Sequence, residues 1–358
     1  MTNRHILFPK AEDYYSDLVN RLERAQSRIS MTYLAFDAGE WGYRIAQVLC
    51  ARAMAGLRVR LMVDALGQIT DEPRHIPHNR RLFDRLLASG VQVDIFQPCT
   101  PELSIRNRQH CKFAAVDERT VCLGGSNIGD YYTTWTDTNL RVEGRLGDTF
   151  HRVYDYIRSF SQGKQEGRPA LDLSDLWAGN DRLWLTVPRQ RDDIRQALLD
   201  LILNAGKSLD LRTWYFIPDE EILDALCRQA QRGVCVRVLL SHRTRVRPVD
   251  LANHIQVHKL VCAGGHVYRY MRRYMHSKVA WNDRGEVLLG SANLDAHSMR
   301  HNFESCLEIN DPGLARALCR DFDLDLRYSL EQTPESYHRR SLAGKILTRT
   351  CNLAAASL

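Results

Sequence analysis

The stretch His110-Cys111-Lys112-Phe113-Ala114-Ala115-Val116-Asp117 has a counterpart in His276-Ser277-Lys278-Val279-Ala280-Trp281-Asn282-Asp283. Each is followed at the same interval by a small-residue turn ending in Asn, Gly124-Gly125-Ser126-Asn127 and Gly290-Ser291-Ala292-Asn293. One His-x-Lys would mean little, but two in one frame mark a duplicated unit. Both motifs run into apolar residues, Phe113 to Val116 and Val279 to Trp281, so each is expected on a strand. Side chains on a strand alternate between faces, which puts His110 with Lys112 and His276 with Lys278. Two imidazole–ammonium pairs could then face one phosphate from opposite sides. Asp117 and Asp283 lie an odd number of positions beyond the lysines. They complete each His/Lys/Asp set, yet are expected to brace the site rather than touch substrate. The glycines suit a turn where backbone approaches a ligand closely, and Asn127, Ser291 and Asn293 are the candidate phosphate-binding residues.

The doubled pattern resembles the phospholipase D superfamily. The residues around it, Gly124 to Asp130 and Leu294 to Ser298 with Asn302-Phe303-Glu304, are similar to bacterial cardiolipin synthases. The resemblance runs from about Ala11 to about Tyr328. It implies a phospholipase D fold, no cofactor and no metal, and a phosphatidyl transfer through a phosphohistidine. It also implies His110 as nucleophile, His276 as acid and then base, and an acid downstream of each motif orienting the other motif's His. Asp137 and Glu304 stand at matching distances (137 − 110 = 27, 304 − 276 = 28). The chain departs from the synthase pattern at Tyr131, where Glu is usual, and at His297, where Arg is usual.

The surrounding sequence reads as α/β, two pseudo-symmetric α/β/α sandwich halves with mixed sheets and the site at their interface. In the first half a helix is expected from Glu12 to Ala25, a strand from Arg28 to Ala35, a helix near Tyr43 to Ala55 and a strand from Leu57 to Val63. A helix from Asn79 to Ala88, a strand from Val91 to Phe96 and a closing helix from Asp148 to Phe160 follow. The second half replays this order: helix Ile194 to Asn204, strand Ser208 to Tyr215, helix Glu220 to Gln231, strand Val234 to Leu240. The repeat is visible in Ala-Gly-Leu-Arg-Val-Arg at 55–60 against Arg-Gly-Val-Cys-Val-Arg at 232–237. The expected domains are 1–160, a Gly- and Gln-rich linker at 161–180, 181–330, and a basic amphipathic tail at 331–358.

With 358 residues, 49 basic and 43 acidic, the chain carries a net charge of +6. That excess is mild, and nucleic acid is not the expected partner. It suits a phospholipid such as phosphatidylglycerol and peripheral contact with an anionic membrane. No apolar run is long enough to span a bilayer, and ten scattered cysteines without a regular framework read as reduced thiols on the cytoplasmic side. A monomer suffices for activity if the halves close on each other. Arg106, Arg108, Arg272 and Arg273 either gather an anionic headgroup or are simply solvated. Tyr131, Tyr132, Trp135, Tyr268, Tyr270 and Tyr274 either line a site mouth or pack the core.

Such a constellation supports exchange at a phosphodiester. A neutral imidazole attacks phosphorus while a second group protonates the leaving alkoxide. The readings are a phosphatidyltransferase forming cardiolipin from phosphatidylglycerol, a hydrolase using water, a nuclease of the same superfamily, or an inactive scaffold.

Overall fold

The alternating pattern of the first half folds as β1 (Arg4–Phe8), α1 (Ala11–Glu23), β2 (Arg28–Tyr33), α2 (Glu40–Met54), β3 (Arg58–Asp64), α3 (Ile76–Ala88) and β4 (Gln92–Phe96). Three antiparallel strands come next, β5 (Phe113–Val116), β6 (Thr120–Gly124) and β7 (Asn139–Glu143), and α4 (Gly147–Ser161) closes the half. This is a computed structural model, and it describes residues 3–70, 73–98, 100, 102–161, 171–172, 176–338, 347–348 and 350–351.

The second half has β8 (Asp181–Val187), α5 (Asp193–Asn204), β9 (Ser208–Thr213), α6 (Glu220–Gln231), β10 (Cys235–Ser241), α7 (Arg247–Cys262) and β11 (His266–Tyr270). Then come β12 (Val279–Asn282), β13 (Glu286–Gly290), β14 (Glu304–Asn310), α8 (Pro312–Leu326) and β15 (Ser329–Gln332). The sheet orders repeat. The first sheet runs β1-β7-β6-β5-β2-β3-β4, and the second runs β8-β14-β13-β12-β9-β10-β11 with β15 added at the end. In both, β2-β3-β4 and β9-β10-β11 are parallel and the motif strands β5 and β12 pair antiparallel with β2 and β9. These are the mixed sheets expected of a duplicated α/β unit.

Helix ends follow local chemistry. Asp219 caps α6 by accepting the amide of Ile222, and Asp311 caps α8 through Gly313 and Leu314 ahead of a first-turn proline. The outer helices α1, α2 and α3 bury their apolar stripes on one face of the first sheet, and α5 and α6 do the same for the second. The inner faces of both sheets, with α4 and α8, share one core from Met62 and Phe150 to Trp281 and Phe322. The two halves are thus welded across their boundary.

Four expectations need correction. His110, Lys112, His276 and Lys278 precede β5 and β12 rather than lying on them. Strand β15 runs past residue 330 and pairs with β11, so the second sheet claims residues assigned to the tail. Trp177–Ala178 pairs with β8, so the sheet also reaches into the stretch assigned to the linker. Strand β1 and helix α7 form where the sequence pattern signals no element. The rest of the linker, 162–170 and 173–175, lies outside the described residues, as do 339–346, 349 and 352–358 of the tail. Among the described residues no helix is long and apolar enough to cross a membrane.

Candidate active site

Each motif crosses into the other half before it enters its own sheet. Gln109 forms a parallel bridge with Phe303, with His110 N–H donating to Phe303 O at 2.9 Å and Phe303 N–H to Arg108 O at 2.8 Å. Met275 forms the equivalent bridge with Thr136, with His276 N–H on Thr136 O at 2.7 Å and Thr136 N–H on Tyr274 O at 2.8 Å. The next residue along each partner segment is an acid, Glu304 or Asp137. The swap therefore sets each imidazole against the opposite half's carboxylate. His110 Nδ1 lies 2.8 and 2.9 Å from the two oxygens of Glu304, and His276 Nδ1 lies 2.7 Å from Asp137 Oδ2. With Nδ1 held in each ring, Nε2 is the nitrogen available for chemistry. Both histidines line one cavity of about 330 Å³ with Asn127, Asn293, Leu34, Trp135, Trp214, Tyr215, Arg245 and Val246.

The lysines sit beneath the imidazoles. Lys112 Nζ donates to His110 O at 2.9 Å, and Lys278 Nζ donates to His276 O. Both are buried, so their charge acts on the cavity with little screening by solvent. Burial brings Lys278 down to about 7 against the pull of Asp137, with Lys112 adding to the fall. Burial also holds His110 below its ordinary value, opposed by Glu304 and reinforced by both lysines. His276 is pushed well below its ordinary value by burial, then by Lys278, Lys112 and His110.

The two carboxylates differ. Burial raises Asp137 to about 6 in spite of Lys278, the Thr138 amide and Lys112. Burial works the same way on Glu304, but His110, Lys112 and the Ser291 hydroxyl outweigh it and hold the acid below its usual range. Ser291, expected on phosphate, instead donates from Oγ to Glu304 Oε2 at 2.5 Å and accepts the Ser305 amide at 3.1 Å. At the matching place in the first half stands Gly125, where an added Cβ would lie 2.1 Å from Asp137 Oδ1. The second half tethers its acid with the hydroxyl at this position, whereas the first half keeps the position bare for a shorter acid and draws its hydroxyl from the next residue, Ser126.

Asp117 and Asp283 sit at the far ends of the motif segments. Asp117 accepts the amides of Gln26, Ser27 and Arg28 and the Ser27 hydroxyl, while Asp283 accepts those of Gly206, Lys207 and Ser208. Each pins the entry of β2 or β9. Backbone hydrogen bonds outweigh the effect of burial and hold both carboxyls below their ordinary value.

Several contributors carry no motif. The Asp64 carboxylate, fully buried at the end of β3, accepts Arg108 Nη2 at 2.6 Å and the Gln109 amide at 3.0 Å. Ser241 ends β10 at the equivalent place and accepts the Met275 amide at 3.3 Å. Each therefore fixes the residue before a motif histidine, and Arg108 is an internal strut rather than a headgroup collector. Trp135 and Trp214 flank His276 edge-on, at ring centroid distances of 4.9 and 4.3 Å, and Tyr274 stacks on Trp214 at 5.9 Å. Leu34 follows β2 as Trp214 follows β9, so among the described residues aromatic rings flank the second imidazole and an aliphatic side chain takes the equivalent place in the first half.

Known proteins resemble this chain in sequence and in fold. The chain is 27% identical over 350 residues to the probable cardiolipin synthase YwiE of Bacillus subtilis, covering 93% of this chain and 68% of that one. It is 27% identical over 359 residues to the cardiolipin synthase of Clostridium perfringens strain 13, covering 95% and 74%. Among solved structures, phosphatidylserine synthase of Haemophilus influenzae matches with a TM-score of 0.77 at 15% identity, over 99% of this chain and 95% of that one. Polyphosphate kinase of Porphyromonas gingivalis matches with a TM-score of 0.61 at 17% identity, over 100% and 54%. These structures share the fold. The model of the cardiolipin synthase, phospholipase D-like domain matches residues 18–158 and 198–326, including both motifs, and the chain belongs to that family.

Proposed function

We propose that this phosphatidyltransferase of the phospholipase D superfamily moves a phosphatidyl group from phosphatidylglycerol to the hydroxyl of a second lipid alcohol, forming cardiolipin. The observation that carries the reading is the crossed pair of carboxylate-held imidazoles on one cavity. His110 Nε2 attacks phosphorus, the P–O bond to the glycerol headgroup breaks, and His276 gives the departing oxygen its proton. The acceptor hydroxyl then yields its proton to His276 and attacks phosphorus, and the N–P bond breaks to release His110. Glu304 and Asp137 hold the ring tautomers. Lys112 and Lys278 stabilise charge on the non-bridging oxygens, with amide donors from Asn127 and Asn293. Preorganised donors of this kind contribute roughly 10²–10³-fold each. Ser291 acts through Glu304, and Asp117 and Asp283 act through the backbone. The halves at 1–160 and 181–330 each supply one imidazole and the other's acid, so a monomer forms the whole site. The enzyme works peripherally on the cytoplasmic face of an anionic membrane.

The deciding experiment is to incubate the enzyme with phosphatidylglycerol labelled in phosphorus, quench in alkali and locate the label, with lipid extracts from the same reaction. Label on His110 and cardiolipin in the extract are expected. Phosphatidic acid without cardiolipin sinks the transferase reading in favour of hydrolysis. Label on His276 reverses the roles of the two rings.

A further inference from the structure

Two loops, one from each half, reach the site. Residues 103–108 lead into His110, and residues 242–248 follow β10 and bring Arg245 and Val246 to the cavity wall. The first is tied inward along its backbone. Arg108 Nη1 donates to Ile105 O at 2.9 Å, His297 Nε2 lies 2.9 Å from Arg106 O, and Asn107 Nδ2 donates to His301 O at 2.7 Å. Both these last partners belong to the other half. Yet the Ile105 side chain is 73% exposed at the tip. The Asp64 carboxylate that binds Arg108 also accepts the Leu66 amide at 2.9 Å, and Leu66 is a second exposed apolar side chain beside the same strut. The second loop is built the same way. Asp250 accepts the Thr244 amide at 2.9 Å, Pro248 stands in the first turn of α7 that ends the loop, and Val246 remains 43% exposed.

A rigid loop that holds a large aliphatic side chain in water gains nothing for folding from that exposure. Within the two loops themselves the charge is one-sided. Arg106, Arg243, Arg245 and Arg247 are exposed, and neither 103–108 nor 242–248 contains an acid. The whole chain has 49 basic against 43 acidic residues, so this local imbalance is not a sample of the average surface. Aliphatic tips interleaved with arginines match the boundary between acyl chains and anionic headgroups.

We propose that the 103–108 and 242–248 loops, with Leu66, form a docking rim that seats the cavity mouth on an anionic phospholipid bilayer. Ile105, Leu66 and Val246 enter the acyl boundary, and the arginines pair with lipid phosphates. This deepens the lipid reading above, on which it rests, and assigns the membrane contact to the mouth rather than to the basic C-terminal tail.

The test uses the full chain with vesicles of phosphatidylglycerol in phosphatidylcholine, and as controls pure phosphatidylcholine vesicles and monomeric short-chain phosphatidylglycerol. Sedimentation with the anionic vesicles is expected to fall about ten-fold or more in Ile105→Glu/Leu66→Glu and in Arg243→Glu/Arg247→Glu. Turnover on vesicles falls in step, while turnover of the monomeric lipid stays within about two-fold and thermal melts are unchanged. Wild-type sedimentation that both pairs of substitutions leave intact overturns the proposal, as does wild-type protein that ignores anionic vesicles. Retention on single-stranded DNA, lost in the arginine pair while vesicle binding persists, assigns the rim to nucleic acid and overturns it too. Vesicle binding is read without turnover, so an enzyme that binds through the rim but makes no cardiolipin leaves this proposal standing while the transferase reading fails.

Discussion

Glu304 Oε1 lies 2.8 Å from His110 Nδ1, although the two belong to different halves of the chain. Glu304 is fully buried, and His110, Lys112 and Ser291 keep it ionised despite that burial. A buried carboxylate on Nδ1 fixes the tautomer and stabilises the ring when it carries charge. Replacing such an acid by its amide lowers kcat by about 10⁴-fold in a serine protease triad, where the wrong tautomer results. Glu304→Gln is expected to cost this enzyme about 10³-fold or more in kcat, with KM for short-chain phosphatidylglycerol changed little. A loss that appears only in KM shows that Glu304 serves substrate binding instead.

Asp137 tests the opposite case, an acid whose burial dominates. Its folded value of about 6 stands above the ordinary 3.8, so the native state holds the proton more tightly than the unfolded chain does. For a raised acid the sign is unfavourable: stability is lost as pH climbs from about 4 to about 6 and stays lost above. A difference of that size in proton affinity corresponds to about 3 kcal/mol. Asp137→Asn is therefore expected to raise the melting temperature at pH 8 by several degrees and to have little stabilising effect at pH 4. Activity falls at every pH, because the amide no longer supplies the charge facing His276. A variant no more stable than wild type at pH 8 shows that Asp137 is held by its partners as firmly as Glu304 is.

The pH profile follows from Asp137 and Lys278 together. Lys278, at about 7, loses its charge as pH rises through that value, and Asp137 loses its charge as pH falls through about 6. Activity needing both charges gives a narrow bell in kcat/KM between them. Lys278→Arg keeps a cation at every pH. Its alkaline limb should move up by at least about one pH unit while the acid limb stays, with the maximum lowered about ten-fold by the altered donor geometry. An unmoved alkaline limb assigns that titration to another group.

Gly125 and Ser291 occupy matching positions and should not exchange. Gly125→Ala puts a methyl 2.1 Å from Asp137 Oδ1, a contact that must push the carboxylate off His276. A loss of about 10²-fold or more is expected. Ser291→Ala removes a hydroxyl from Glu304 and an acceptor from the Ser305 amide without adding a clash, and a buried hydrogen bond to a charged group contributes about 1.5–3 kcal/mol, or about 10–100-fold if it acts wholly in the transition state. Comparing the two variants on monomeric lipid checks the ranking. If Ser291→Ala proves the more damaging, Gly125 is not where the first half's geometry is decided.

Much of this is legible in the sequence because duplication copies chemistry along with spacing. The resemblance implies an acid downstream of each motif on the other motif's histidine, and matching intervals pick out Asp137 and Glu304. The same logic reaches further: the offset 232 − 55 = 177 that aligns two strand entries also carries Asp64 onto Ser241. Those residues share a task with different side chains, so identity hides what register reveals. Leu34 and Trp214 are likewise equivalent in register, and no motif marks them. Ser291 misleads because a hydroxyl near Asn293, itself expected on phosphate, looks like another donor. Only the third dimension shows Glu304 claiming it. The strand placement of His110 and His276 fails for a related reason. The apolar period begins at Phe113 and Val279, and the residues before it pair across the halves, which sequence periodicity does not register.

That cross-pairing leaves Asp117 and Asp283 to be tested as braces. Asp117 sits in the left-handed region at φ 51 and accepts three amides and a hydroxyl that open β2. Its low carboxyl value gives stability that is present above the unfolded value near 4 and lost as pH falls through the lower folded one. Asp117→Ala removes those acceptors and leaves a non-glycine side chain at positive φ, so a destabilisation of about 1–3 kcal/mol is expected. Asp117→Asn keeps the shape and a tolerated residue for that backbone region, and should recover about half of the loss. In each variant kcat per folded molecule, measured well below the melting temperature, should remain within about three-fold of wild type, because β5 separates the carboxylate from the imidazole it follows. A large fall in kcat in a variant that melts like wild type would make Asp117 a participant in the reaction and would require the motif segment to bend back on itself, contrary to its pairing with β2.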